Sequence, residues 1–214
     1  TVTYQTGPEG AFGAYDTAVG ALLNGQADCD GYSDAFFLLC SLAGIPVRTV
    51  IGYMADPASG AMKGHAWNLV SQDGGITWYM VDVTNDSADR EIPVHFCFNT
   101  GKETAFRSYV WEEEAVPDHW ALAENDSLNY GSGLFGSVFD SAADAARYTA
   151  ENSGDAQTMI EVRINGLYSG DEINEALLSA LRERWKNSRG FSYGYRSLVN
   201  RGGYTWAVLC VNMD

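Results

Sequence analysis

The sequence predicts an α+β fold: a helix opened by a cysteine beside antiparallel strands, followed by a small C-terminal α/β unit. Three observations predict it. "CDGYSDAFFLLCSLAG" carries Tyr32, Phe36, Leu39, Cys40 and Ala43 on one helical stripe. Two β-rich runs flank Asp73-Gly74, a dipeptide that favours hairpins. From about residue 133, helical and strand patterns alternate after a Gly/Ser-containing linker. The predicted domains are residues 1–130 and 131–214.

Each element has a local cause. "GAYDTAVGALLNG" reads as a short helix or loop ending at Gly25. Asp28 is placed to cap the following helix, Gly44 to end it, and Pro46 prevents its continuation. "VRTVIGYM" reads as a strand and "ADPASGAMKG" as a loop. In "HAWNLVSQDGGITWYMVDV", a two-residue Asp73-Gly74 turn makes paired residue numbers sum to 147 and sets His65 opposite Asp82. Opposed Cβ atoms lie about 4.5–5.5 Å apart. A one-residue slip would leave the two on a diagonal. "TNDSADREIP" reads as a loop, "VHFCFN" as a strand, and residues 101–133 as irregular acidic surface. In the tail, "SAADAARYTAENS" is a helix capped by Asp140 or Ser141, and "TMIEVRI" is a strand. "DEINEALLSALRERW" is an amphipathic helix bearing Ile173, Leu177, Leu181 and Trp185, and "GFSYGYRSLV" and "YTWAVLCV" are the closing strands.

Composition narrows the function. The 214 residues are 46% hydrophobic and 19% charged, enough apolar material for a substantial core. A net charge of -15 repels phosphates, which argues against nucleic acid and anionic membrane as partners. No apolar run reaches spanning length and no signal segment opens the chain. The abrupt opening "TVTYQTGPEG" is that expected of a fragment whose leader or earlier domains are absent. Cys29, Cys40, Cys97 and Cys210 form neither a CxxC pair nor a zinc spacing, and no EF-hand spacing or Gly-rich phosphate loop is present. The expectation is no cofactor and no metal.

Cys29 stands apart because it opens a helix, where free N–H groups favour a thiolate. Its neighbours Asp28 and Asp30 act against that form unless they cap or point outward. A thiol nucleophile needs a histidine, and the histidine needs a group that holds its tautomer. His65 and Asp82 supply that pair through the hairpin. Tyr53, Trp67 and His119 are weaker candidates for lining a cleft. Cys40, Cys97 and Cys210 read as inert apolar positions, and His95 as a strand residue beside the core. No second cysteine is close enough to resolve Cys29 in a redox cycle.

"CDGYSDAFFLLCSLAGIPVRTVIGY", "GHAWNLV" and "GGITWYMVDVTND", in that order, resemble the transglutaminase-like superfamily, in a bacterial-type form. The likeness is strong over residues 15–90 and looser to about 128. It implies a papain-like core, with a cysteine-bearing helix packed on an antiparallel sheet. It implies Cys29 as nucleophile, His65 as general base and acid, and Asp82 as the orienter of His65. Family members form or hydrolyse amides, and some are inactive. The expected function is therefore cysteine-dependent acyl transfer on a protein or peptide substrate, with hydrolysis favoured. Amine-acceptor cross-linking and a non-catalytic secreted or cell-surface binding module are the alternatives. The expected location is extracellular or in the cell envelope. The residues leave the oligomeric state open, and the oxyanion donor too: Gln26, Asn24 and Tyr15 are undecided, and the backbone N–H of Cys29 is a generic candidate.

Overall fold

The computed structural model describes residues 2–8, 12–56, 59–87, 94–105, 108–111, 122–124, 137–154, 157–185, 190–201 and 203–213. The chain divides into two compact units, Thr1–Asn129 and Tyr130–Asp214. Among the described residues no helix is long and apolar enough to cross a membrane. The first unit is α+β, with a helix that begins at Cys29 packed against an antiparallel sheet.

Strand β1 (Thr3–Tyr4) pairs in parallel with β2 (Gln26–Ala27), which leads directly into helix α1 (Cys29–Leu42). Asp28 starts α1 by accepting the Gly31 N–H on its carboxylate at 3.1 Å. Gly44 ends it in the left-handed region at φ 75°, a conformation open to glycine without Cβ strain. The Gly44 N–H reaches the Ser41 carbonyl and the Ile45 N–H reaches Cys40, so a Schellman motif satisfies the last turn.

Strands β3 (Val47–Ala55), β4 (Met62–Val70), β5 (Tyr79–Val81) and β6 (Tyr109–Val110) form the antiparallel sheet in the order β5-β4-β3-β6. Val47, Val70, Tyr79 and Val81 pack with Cys40 and Phe36 of α1. Val50, Trp67, Leu69, Met80 and Tyr109 form a separate apolar cluster with Trp78 and Ala105. Burying each large side chain contributes about 1.5–3 kcal/mol. The fully buried Asn68 amide donates to the Ser33 carbonyl and to Thr49 Oγ1, both at 3.2 Å, tying α1 to two strands.

The hairpin register differs from the sequence expectation. Val70 pairs with Tyr79, Leu69 with Met80 and Asn68 with Val81, so paired numbers sum to 149 rather than 147. Asp73 is the cause. Its carboxylate gathers the N–H groups of Ile76 and Thr77 and the Ser71 hydroxyl, folding residues 71–77 into a loop instead of a two-residue turn. The offset is two residues, so side chains keep their faces. His65 and Asp82 remain on one face as diagonal rather than opposed neighbours.

Asp82 then starts the five-residue helix α2 (Val83–Ser87) where a loop was expected. "VHFCFN" is not a strand. Residues 96–99 turn, with Asn99 at φ 54° and the Asp86 carboxylate holding the Cys97 N–H at 2.9 Å. The turn still borders β5, where Cys97 O accepts from Asp82 N and Thr100 pairs with Met80. Helix α3 (Lys102–Ala105) follows.

The second unit contains β7 (Ser137–Phe139), α4 (Ala142–Asn152), β8 (Thr158–Asn165), α5 (Gly170–Arg184), β9 (Phe191–Arg201) and β10 (Tyr204–Met213). Its sheet order is β7-β8-β10-β9, parallel only between β7 and β8. Ser141 caps α4, and Ser169 with Glu172 forms a capping box on α5. Ile173, Leu177 and Leu181 of α5 are buried in clusters with Val162 and Ile164 of β8 and Ala207, Leu209 and Val211 of β10.

Candidate active site

The head of α1, the start of β4 and the β5–α2 junction meet at one cluster. His65 Nε2 lies 2.8 Å from Asp82 Oδ2. Cys29 lies close enough to His65 to raise its pKa. The three residues picked from sequence are therefore linked through the imidazole. His65 is 8% exposed and Asp82 0% exposed. Cys29 is partly exposed, whereas Cys40, Cys97 and Cys210 are buried.

Electrostatics follow from that arrangement. Burial pulls the His65 pKa down, but hydrogen bonds and charge from Asp82 and Cys29 outweigh it and raise it to about 9. Burial pushes Asp82 up, yet bonds from His65, Tyr109 and the Asn85 N–H outweigh it and hold the carboxyl below its ordinary value. The Tyr4 hydroxyl is pushed up to about 12 by burial and by the nearby Cys29, Asp28 and Asp30.

The acids flanking Cys29 are accommodated. Asp28 caps α1, and its pKa rises to about 6 through burial and a hydrogen bond with Asp16, partly offset by the Gly31 N–H. Asp30 is raised by burial and by Asp16, with His65 opposing. The carboxylates of Asp16, Asp28 and Asp30 lie within 4.8 Å of one another. Asp28 therefore holds a proton more readily than an ordinary aspartate.

Four residues of this neighbourhood escaped the sequence reading: Tyr4, Asp16, Asn85 and Tyr109. Tyr109 donates to Asp82 Oδ2 at 2.6 Å, and Asn85 Nδ2 donates to the same oxygen at 2.5 Å. The Asn85 N–H reaches Asp82 Oδ1 at 3.0 Å. Cys97 Sγ lies 3.8 Å from the Tyr109 hydroxyl, joining the buried end of the network. Only Asn85 left a trace in the sequence, three residues beyond a capping aspartate; the others arrive from distant segments.

The weaker candidates have different fates. Trp67 is 1% exposed and stacks on His65 with ring centroids 6.0 Å apart, so it is a buried support and not an open cleft wall. Tyr53 is 54% exposed and pairs with Gly64, the residue before His65. His95 is exposed on the 94–100 segment, not in a strand. His119 lies outside the described residues.

A helix-borne cysteine on an antiparallel sheet, beside a histidine that an aspartate holds, defines a papain-like class of site. Residues 1–83, which include all three, match the model of the transglutaminase-like superfamily. Human kyphoscoliosis peptidase is 35% identical over 65 residues, covering 28% of this chain and 10% of that protein. The matched stretch thus spans about a tenth of that relative's length.

Proposed function

We propose that the first unit is a cysteine-dependent acyl-transfer enzyme that hydrolyses peptide-type amides, with Cys29, His65 and Asp82 as its catalytic residues. The observation that carries this reading is His65 held between Cys29 and Asp82 at the N-terminus of α1. Asp82 occupies Nε2, which leaves Nδ1 for the thiol. His65 takes the Cys29 proton as sulfur attacks the amide carbonyl carbon. Collapse of the tetrahedral intermediate breaks the C–N bond, and the amine leaves with the proton from His65. Water, deprotonated by His65, then attacks the thioester carbon, releasing the acid and restoring the thiol. The peptidase name of the human relative favours water as acceptor. An amine acceptor would form a cross-link by the same first half-reaction. An extracellular or cell-envelope setting and a protein or peptide substrate belong to the proposal.

The test is incubation with a peptide library, with and without an amine donor, comparing wild type and Cys29→Ala by mass spectrometry. Cleavage or deamidation that depends on Cys29 supports hydrolysis. Amine incorporation moves the assignment to cross-linking. No product in any channel overturns the enzyme and leaves the binding module.

A further inference from the structure

Asp82 does more than face His65. Its Oδ2 atom accepts three hydrogen bonds, from His65 Nε2 at 2.8 Å, Tyr109 at 2.6 Å and Asn85 Nδ2 at 2.5 Å. Oδ1 accepts the Asn85 N–H at 3.0 Å. Tyr109 comes from β6, 27 residues away in sequence, and is itself 1% exposed. Its ring packs against Trp67 at 5.1 Å between centroids, and Trp67 in turn stacks on His65. Asn85 Nδ2 also lies 3.2 Å from the Tyr109 hydroxyl and 2.9 Å from Met54 Sδ, so its amide is fixed from several sides.

We propose that Tyr109 and Asn85 are positioning residues that lock the Asp82 carboxylate and divide its charge, setting how readily His65 releases its proton. This rests on the triad reading given above. Each donor to a carboxylate lowers its basicity. With His65 as sole donor, a buried aspartate would hold the imidazolium proton too strongly. The histidine would then be a poor acid toward the leaving amine, because efficient acid catalysis needs a pKa near the working pH. Two extra donors draw charge away from His65 and fix the oxygen that faces it. The titratable groups around the imidazole are Cys29 and Asp30 on α1, Asp82 before α2, and Tyr109 on β6. Cys97, on the 96–99 turn, brings its thiol to 3.8 Å from the Tyr109 hydroxyl and its carbonyl to the Asp82 N–H. Asp82 Oδ2 bonds both His65 and Tyr109, so the Tyr109 hydroxyl acts on His65 through that oxygen, beside the ring contact between Tyr109 and His65 and the 3.4 Å approach of Asn85 Nδ2 to His65 Nε2.

The experiment is a pH titration of the imidazole by 15N NMR on the intact chain, in wild type, Tyr109→Phe, Asn85→Ala and Asp82→Asn. The chain has three histidines, and His65→Gln assigns the signal. Circular dichroism checks folding. Tyr109→Phe keeps the ring and loses only the hydroxyl; Asn85→Ala addresses the same oxygen if the first variant does not fold. The expected result is an upward move of the His65 midpoint by roughly half a pH unit or more in the folded variants, opposite in sign to Asp82→Asn. With a substrate from the peptide library, kcat should fall about tenfold while KM stays within about twofold. A midpoint that is unchanged or falls in the folded variants overturns the proposal. Absence of any product from wild type overturns the catalytic reading, and the titration still decides whether Tyr109 and Asn85 divide the charge of Asp82.

Discussion

His65 Nε2 and Asp82 Oδ2 lie 2.8 Å apart although the two residues are not partners in the β4–β5 ladder. The ladder ends at Val81, and Asp82 turns into α2. The contact is diagonal, and the neighbouring hydrogen bonds hold it. It therefore depends on the Asp82 side chain and not on strand pairing alone.

Asp82→Asn should slow the chemistry far more than it disturbs the fold. Loss of the carboxylate removes the group that fixes the His65 tautomer. Activity on a substrate found by the library should fall about 10²–10⁴-fold. Alkylation of Cys29 near neutral pH should slow in parallel, while the buried Cys40, Cys97 and Cys210 stay slow throughout. Peptide mapping of the alkylated protein reads all four thiols. Equal labelling rates in wild type and variant would refute the link.

The His65–Asp82 pair makes stability fall at alkaline pH. The His65 pKa in the folded chain, about 9, lies above its unfolded value of about 6.5. The stability it contributes is fully present below pH about 6.5 and is lost as pH rises through about 9. Urea melts at intervals from pH 6 to 10 should show the decline in wild type and a flatter profile in His65→Gln. Parallel profiles would exclude the assignment.

Asp28, beside Asp16, works in the acidic range. Asp28 is raised to about 6 in the folded chain against about 3.9 unfolded. Its proton-linked stability is fully present below pH about 3.9 and is lost as pH rises through about 6. Asp16→Asn removes the repelling charge and keeps an acceptor for the Gly13 N–H. This variant should be more stable than wild type at pH 7.5 and should lose that advantage near pH 4. A pH-independent difference in melting temperature would contradict a raised Asp28.

Two glycines, one in α1 and one just past its end, should respond differently. A Cβ at Gly31 would lie 2.1 Å from the Tyr15 carbonyl oxygen and 3.0 Å from Ala27 Cβ, so Gly31→Ala must displace backbone beside Cys29. At Gly44 nothing lies within 4 Å, and the cost is the φ of 75° alone. Gly44→Ala should cost about 1 kcal/mol. Gly31→Ala should cost about 2–4 kcal/mol and slow Cys29 alkylation. Chemical denaturation of both variants measures the contrast, and equal costs would show that the close approach at Gly31 relaxes freely.

The parts legible in sequence were those with local causes. Asp28, Gly44 and Pro46 bracket α1, and its packing follows from the stripe that includes Phe36 and Cys40. Ser169 and Glu172 mark the start of α5 in the same way. The hairpin was misread because Asp73 bonds forward to Ile76 and Thr77, an alternative to the two-residue turn that composition does not reveal. His65 and Asp82 still met because an offset of two preserves the face. "VHFCFN" looked like a strand by its aromatic and β-branched content, but Asp86 captures the Cys97 N–H and bends it. Tyr109 could not be found because its link to Asp82 spans 27 residues and exists only once the sheet has formed.

The two oxygens of Asp82 have separate employment. Oδ1 fastens the first turn of α2, and Oδ2 serves His65, Tyr109 and Asn85. An asparagine in that place has one acceptor and one NH2 group. With its oxygen toward the helix N–H, its NH2 group faces His65, Tyr109 and Asn85, and His65 meets it only by turning to the tautomer in which Nε2 accepts. The neutral isostere can keep the helix fastened but not the same imidazole tautomer, so the fastening of a helix and the acidity of an imidazole are set by a single side chain.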